Sequence, residues 1–330
     1  MQIAVLGAGA MGGTIAALLD RAGHDVEVTA RGAGLEAIRE HGIRLSGGWG
    51  EHTARVGAGE ALTRVPELAI VATKAMDAAA AVAANAELLG GVPVVVWQNG
   101  LGGIEAVQQL LPDSPVIGAL SLIAATYRSP GDVVVTAPAG TWLGMLEGDP
   151  APAHAAAAVL GDALPVTVVE GFAGARWTKL VINQVNALPA ITNLSVQEVV
   201  AHDGLRRIMA LSMREAVRIA LADGVRFEEV NGVTHEMLEG IADAEPAASE
   251  ALPRFIADYL GEVPNPGSTL QSIRRGQLSE IDYLNGAVVA EAHRIGRQAP
   301  INARLAELVH EVEGSGHFLT AEETLSAVAV

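Results

Sequence analysis

The chain has 330 residues, half of them apolar and 18% charged, which is enough to bury two cores and is far from a disordered composition. A net charge of −17 repels polyanions, which argues against nucleic acid and anionic membrane surfaces as partners, and any anionic ligand must be held by a few local cations. There is no cysteine, which rules out disulfides, zinc–thiolate sites and thiol catalysis and fits a reducing, cytoplasmic setting.

Residues 2–6 read as an apolar strand that runs straight into Gly7-Ala8-Gly9-Ala10-Met11-Gly12 and then into a helix over 12–22. This is G-x-G-x-x-G between a strand and a helix, the context in which the motif binds a dinucleotide. Gly7 permits the tight turn, Gly9 lets the backbone approach a pyrophosphate, and Gly12 lets helix and strand pack closely. The pyrophosphate would sit on the unpaired N–H groups of the helix start. No basic leader precedes the run, so it reads as part of the mature chain rather than a signal peptide.

A second strand, 26–30, names the nucleotide. An NAD site usually ends it with an acid that binds the ribose hydroxyls. Here Ala30 and Arg31 stand at the end, Asp25 and Glu27 come too early, and alternation turns Glu27 outward between Val26 and Val28. A guanidinium can grip a 2′-phosphate bidentately, so the pattern points to NADP(H). Helices are expected over 33–41 and 76–89, and strands over 68–72 and 93–98. Lys74 follows the first of these strands, and Trp97-Gln98-Asn99-Gly100 ends the second, where open α/β sheets line their ligand crevice. An Asn-Gly turn is the plain alternative for that segment. The alternation gives a parallel sheet wrapped by helices. Residues 116–147 carry short β runs read as antiparallel strands added to that sheet, followed by a helix at 152–163 and a strand at 165–169.

Glycines around 170–174 mark a junction. The expected domains are a dinucleotide-binding α/β domain at 1–170 and an all-helical domain at 171–330, with helices over 172–191, 204–223, 228–242, 249–261, 280–297 and 301–313. Apolar stretches are too short or interrupted to span a bilayer. The segment 175–188 is apolar around most of its circumference, yet Lys179, Asn183 and Asn186 share one face. Such a stripe points to a wet cleft in which burial lowers the lysine pKa and suits it to donate a proton; a structural amide network is the alternative. Residues 265–278 read as a polar loop. Ser279 then caps a helix with Asp282 at its third position, which accounts for Asp282 as a capping box; an acid there could also pair with Lys179. There is no metalloprotease helix motif, no clustered His/Asp set and no G-x-S-x-G elbow.

Taken together, G-A-G-A-M-G at 7–12, A-R-G at 30–32, T-K-A at 73–75, Q-N-G at 98–100, W-x-K-L-x-x-N at 177–183 and S-E-I-D-Y-L-N-G at 279–286 resemble the ketopantoate reductases over nearly the whole chain. The resemblance implies a Rossmann domain followed by a helical one, a homodimer, and NADPH-dependent reduction of the C2 ketone of ketopantoate to pantoate, on the route to pantothenate and coenzyme A. Carried over by motif, Lys179 is the general acid and Glu280 holds it and contacts the reacting oxygen. Asn99 lies near nicotinamide and substrate, and Asn183 binds the substrate's hydroxyl side. Ser268 takes its carboxylate, Asn265 supports Ser268, and Asn186 stands near the substrate. Arg31 and Lys74 face the 2′-phosphate, and residues 7–12 cradle the pyrophosphate.

Two positions depart from the family pattern. The family's second asparagine falls eight residues after the lysine, where this chain has Ala187, with Asn186 one earlier. A one-residue deletion would turn the downstream side chains by about 100°. Ser272 replaces the aspartate after S-x-L-Q. Both changes touch substrate recognition, so a reductase of another bulky 2-keto acid, a D-2-hydroxyacid dehydrogenase, stays open beside ketopantoate. A non-catalytic NADP(H) sensor is a third reading, disfavoured by the presence of Lys179 and Glu280.

Overall fold

The computed structural model describes residues 1–328, and of Pro246 and Ala247 the backbone alone. Ala329 and Val330, the end of the expected second domain, lie outside the described residues. The chain forms two compact units: Met1–Gln98 with Gly102–Phe172, and Asn99–Leu101 with the chain from Ala173 onward.

In the first unit the strands are β1 (Gln2–Leu6), β2 (Asp25–Thr29), β3 (Ile43–Gly47), β4 (His52–Ala54), β5 (Gly57–Gly59), β6 (Leu68–Val71), β7 (Val94–Trp97), β8 (Val116–Ser121), β9 (Ala124–Ser129), β10 (Asp132–Ala137), β11 (Thr141–Gly144) and β12 (Val166–Val168). The helices are α1 (Ala10–Arg21), α2 (Gly32–His41), α3 (Ala75–Ala83), α4 (Ala86–Leu89), α5 (Gly103–Leu110) and α6 (Ala151–Leu160). Eight strands make the main sheet in the order β12-β11-β8-β7-β6-β1-β2-β5. All its pairs are parallel except β11 with β8. β6 and β7 are buried throughout, as strands covered on both faces should be. The strand order reverses at β1, which pairs with β2 on one side and β6 on the other. Ligands of open α/β sheets sit at the carboxyl ends of strands flanking such a switch point.

The expectation that the later β runs all extend one sheet is corrected. β9 and β10 leave it and form a second sheet, β4-β3-β10-β9, with strands from residues 43–54 that had no visible strand pattern. Their short length hid them, and packing supplies what pattern lacks: Ile43, Leu45, Val133 and Val135 bury with Ile15 of α1 in one core. Glu27 is also corrected. It is buried rather than outward, because its carboxylate accepts from the backbone N–H (3.0 Å) and hydroxyl (2.7 Å) of Thr63, which satisfies it inside. The run 76–89 breaks into α3 and α4 at Asn85, whose side chain accepts from the Leu62 N–H at 2.8 Å and donates to the Ala81 carbonyl at 2.7 Å.

The second unit is helical: α7 (Phe172–Asn183), α8 (Ala187–Thr192), α9 (Val196–Ala201), α10 (Asp203–Ala222), α11 (His235–Asp243), α12 (Pro246–Ser249), α13 (Ala251–Leu260), α14 (Gly267–Arg274), α15 (Asn285–Arg294), α16 (Pro300–Ser315) and α17 (Ala321–Ala327). Among its described residues there is no strand, only an isolated bridge between Val230 and Val233. α10 is the central helix, with Met209, Met213, Ala216 and Val217 fully buried. Asn302 of α16 accepts from Ser212 of α10 and from Asn285 of α15, both at 2.9 Å, and the Glu215 carboxylate accepts from the N–H groups of Ile301 and Asn302 that open α16. This network pins three helices in one register.

Three local expectations fail here for stated reasons. The helix over 172–191 is interrupted by a 3₁₀ turn at Gln184–Asn186. The polar stretch 265–278 contains α14, its first turn bonded to Asn186 and Asn265. Ser279 and Asp282 do not make a capping box. A 3₁₀ turn occupies Ile281–Tyr283, α15 starts only at Asn285, and Asp282 bonds to His310 instead.

Candidate active site

In the first unit, the turn after β1 is built by sterics. Gly7 has φ +93°, and a Cβ on it would sit 2.7 Å from the Thr73 methyl group. A Cβ on Gly12 would land on the Gly7 carbonyl oxygen. Gly9 differs: its φ is −76° and a Cβ there would meet nothing within 4 Å. Among the described residues nothing requires glycine at Gly9, and the open space beside it leaves room for the pyrophosphate that the motif would bind. Helix α1 starts there with no capping side chain and no acid in its first turn, which leaves the dipole end to an anion. The Thr29 hydroxyl accepts from the Gly7 N–H at 3.0 Å and holds the turn to β2. At the ends of β6 and β7, the Gln98 amide donates to the Thr73 carbonyl at 3.0 Å. The Thr73 hydroxyl and the Gln98 carbonyl oxygen are buried with no partner among the described residues. Polar atoms stranded at the switch point suit a ligand that would pair them. Arg31 is exposed on extended backbone as the residue before α2, and Lys74 holds the same place before α3.

In the second unit, Lys179 and Asn183 lie one turn apart on α7 and are both buried. Burial pushes the Lys179 ammonium down to about 8, since the charged form loses water. The Asn183 amide donates to the Asn99 side-chain oxygen at 3.4 Å. Asn99 is held in turn: Gly100, at φ +82°, lies so close to the Tyr283 carbonyl that a Cβ could not fit, and Leu101 donates its N–H to that carbonyl at 3.3 Å. The segment carrying Asn99 is therefore docked on the turn just after Glu280.

The Asn186 side chain is bonded within the protein at both ends. Its amide donates to the Asn183 carbonyl at 3.0 Å and its oxygen accepts from the Ser268 N–H at 3.2 Å. Asn265 accepts from the Gly267 N–H at 2.8 Å, which sets the start of α14, and leaves the Ser268 side chain exposed. Asn186 thus holds the backbone of Ser268. Asn186→Ala is expected to raise the substrate KM about tenfold with a smaller change in kcat, as a buried bond worth about 1–2 kcal/mol is lost; steady-state kinetics on the variant checks it.

A 3₁₀ turn at Gln184–Asn186 stands where the family resemblance implied a one-residue deletion. Three 3₁₀ residues rise about 6 Å and turn about 360°, against about 6 Å and 400° for four α-helical residues. With such a turn, a one-residue deletion would leave the downstream side chains roughly 40° rather than 100° out of phase.

Sequence reasoning missed Thr73 as a candidate, the Tyr283 carbonyl, and His310 with Glu313. One signal lay in plain counts. The chain has 19 arginines and two lysines, and both lysines, Lys74 and Lys179, fall in the motifs singled out.

Fold and site together define a Rossmann-type oxidoreductase with a helical second half. Residues 3–148 match the model of the ketopantoate reductase PanE/ApbA family, and residues 172–313 match that of its C-terminal part; the chain belongs to this family. A 2-dehydropantoate 2-reductase of Archaeoglobus fulgidus is 29% identical over 94% of this chain and 98% of its own length. The crystal structure of a ketopantoate reductase of this family from Ralstonia eutropha superposes with a TM-score of 0.82 at 28% identity, covering 96% of this chain and all of the other. D-mandelate dehydrogenase, solved with NADH and anilino(oxo)acetate, shares the fold with a TM-score of 0.81 at 23% identity, covering 96% and 99%.

Proposed function

We propose that this chain reduces the C2 ketone of 2-dehydropantoate to pantoate with NADPH. The observation that carries the reading is Lys179: a buried amine with its pKa lowered to about 8, one helical turn from an asparagine pair, in a chain of the ketopantoate reductase family. NADPH, when bound, supplies the hydride. Gly7 to Gly12 hold its pyrophosphate, and Arg31 and Lys74 its 2′-phosphate. Lys179 delivers a proton to the oxygen on which negative charge develops, so its help is greatest in the transition state. Glu280 holds the lysine and contacts the same oxygen. Asn99 and Asn183 orient the substrate and Ser268 takes its carboxylate. The reading extends to a cytoplasmic homodimer. Among the described residues no helix is long and apolar enough to cross a membrane.

A second reading, reduction of another bulky 2-keto acid, is favoured by Asn186 and Ala187. The amide that the family pattern places toward substrate is here spent on Asn183 and Ser268. The test is NADPH oxidation with ketopantoate beside a panel of 2-keto acids, with NADH in parallel. Fast turnover of ketopantoate alone supports the first reading, and turnover of another keto acid alone replaces it with the second. Arg31→Ala is expected to lower the preference for NADPH over NADH about 10- to 100-fold, the loss of one charged phosphate contact of roughly 1.5–3 kcal/mol. An unchanged preference would remove Arg31 from the phosphate site.

A further inference from the structure

The turn that carries Glu280 is tied down on both sides by one helix. Before Glu280, the Ser279 N–H donates to Oε1 of Glu313 at 2.7 Å. After it, Oδ1 of Asp282 lies 2.8 Å from Nε2 of His310. The two ties are joined, because Nδ1 of His310 lies 3.0 Å from Oε2 of the same Glu313. Both ring nitrogens therefore face carboxylate oxygens. A neutral imidazole has only one N–H and would turn a lone pair toward the other carboxylate; the imidazolium has two donors and satisfies both.

We propose that His310 is a positioning residue for Glu280: protonated, it closes the chain Asp282–His310–Glu313–Ser279 that brackets Glu280, and on losing its proton it lets the turn loosen. The inference rests on the proposed reductase reading for what Glu280 does, not for the clamp. The charged groups facing the ring are Asp282 from the 3₁₀ turn and Glu313 from its own helix. Glu307, one turn earlier on α16, is paired with Arg304 at 3.0 Å. Burial opposes the charge on His310, but the bonds to Asp282 and Glu313 outweigh it and raise the pKa. The clamp is then closed below that raised pKa and opens as pH rises through it. Because Tyr283 also holds Gly100 and Leu101, loosening the turn disturbs the seat of Asn99 as well.

The test compares wild type with His310→Gln and Asp282→Asn across pH. Lys179 contributes its own alkaline decline, so its midpoint is measured in each protein and divided out of the ratio of variant to wild-type kcat. That ratio is expected to be about 0.1 near pH 6 and to climb toward one at high pH, where wild type has lost the same proton, since a misplaced catalytic group costs one to two powers of ten. A ratio that is flat with pH, whether near one or low, overturns the proposal. Imidazole and backbone NMR gives an answer independent of turnover. The His310 ring is expected to titrate above a free imidazole in wild type and to fall in Asp282→Asn, with the Glu280 and Ile281 amide signals following the same midpoint. A His310 that titrates as a free ring, or Glu280 amides indifferent to it, also overturns the clamp. Wild type that turns over no 2-keto acid while the amides follow His310 would remove the reductase reading and leave the clamp standing.

Discussion

Lys179→Met is expected to give a protein that is nearly inactive and more stable. The lysine is buried, and its pKa falls from 10.5 to about 8 because the ammonium loses water. A base with a lowered folded-state pKa binds its proton more weakly when folded than when unfolded. Below pH 8 the folded chain therefore carries an unfavourable charge of about 3 kcal/mol, the size of a 2.5-unit shift. Methionine fills a similar volume without that charge. The stability gain should be largest at neutral pH and should vanish between pH 8 and 10.5 as the lysine of wild type discharges. Thermal melts of both proteins across that range give the difference directly. Activity moves the other way. Removing a general acid lowers kcat by about 10²–10⁴, and the rate of wild type should itself decline above pH 8 as the donor empties. A variant that melts higher yet keeps its rate would leave Lys179 as a packing residue only. The pairing of gain and loss is what a strained catalytic group predicts.

Gly9→Ala and Gly12→Ala should separate two reasons for glycine in one motif. At Gly12 a methyl group would strike the Gly7 carbonyl oxygen, so the turn or the helix must move. The variant should lose several kcal/mol of stability whether or not a nucleotide is present, although alanine is about 1 kcal/mol better than glycine within a helix. At Gly9 the methyl group meets open space and an ordinary backbone conformation, so the protein without nucleotide should melt within a degree or two of wild type. Its affinity for NADPH should nevertheless drop 10- to 100-fold, because the methyl group occupies the approach of the pyrophosphate. Calorimetric melts with and without NADPH, plus a titration followed by fluorescence, resolve both arms. Equal loss of stability in the two variants would mean that Gly9 serves packing and that the open space beside it is not a ligand seat.

The range of each interaction decides whether the sequence disclosed it or hid it. The turn after β1, the parallel core strands and Lys179 on the face of Asn183 are local patterns, readable from periodicity and spacing. The second sheet was not readable, because β3 and β4 are short and become strands only where they pair with each other and with β10 over α1. Glu27 looked outward because alternation assigns a face, while Thr63, 36 residues away, decides whether that face is covered. Asp282 fitted a capping box by spacing. A partner 28 residues later claimed it. Among the candidate site residues, the motifs disclosed positions but not partners: Asn186 accepts from the Ser268 N–H, and the Tyr283 carbonyl holds the segment carrying Asn99. A carbonyl leaves no trace in a sequence pattern, and neither does an amide that has changed partner.

The scarcity of lysine has a chemical consequence for the protein's lifetime. With 19 arginines against two lysines, almost every cation is a guanidinium, which never sheds its proton in water and so never acts as a nucleophile. Amine-seeking damage such as acylation by activated metabolites is confined to Lys74, Lys179 and the α-amino group. Among these Lys179 stands out: with a pKa of about 8, roughly a tenth of it is free amine at neutral pH, several hundred times the fraction in an ordinary lysine. The burial that tunes it as an acid also arms it as a nucleophile, and the same burial is its protection. An opening that rewets Lys179 returns its pKa toward 10.5 and disarms it, so only a reagent small enough to reach the lysine while it stays buried meets the armed amine.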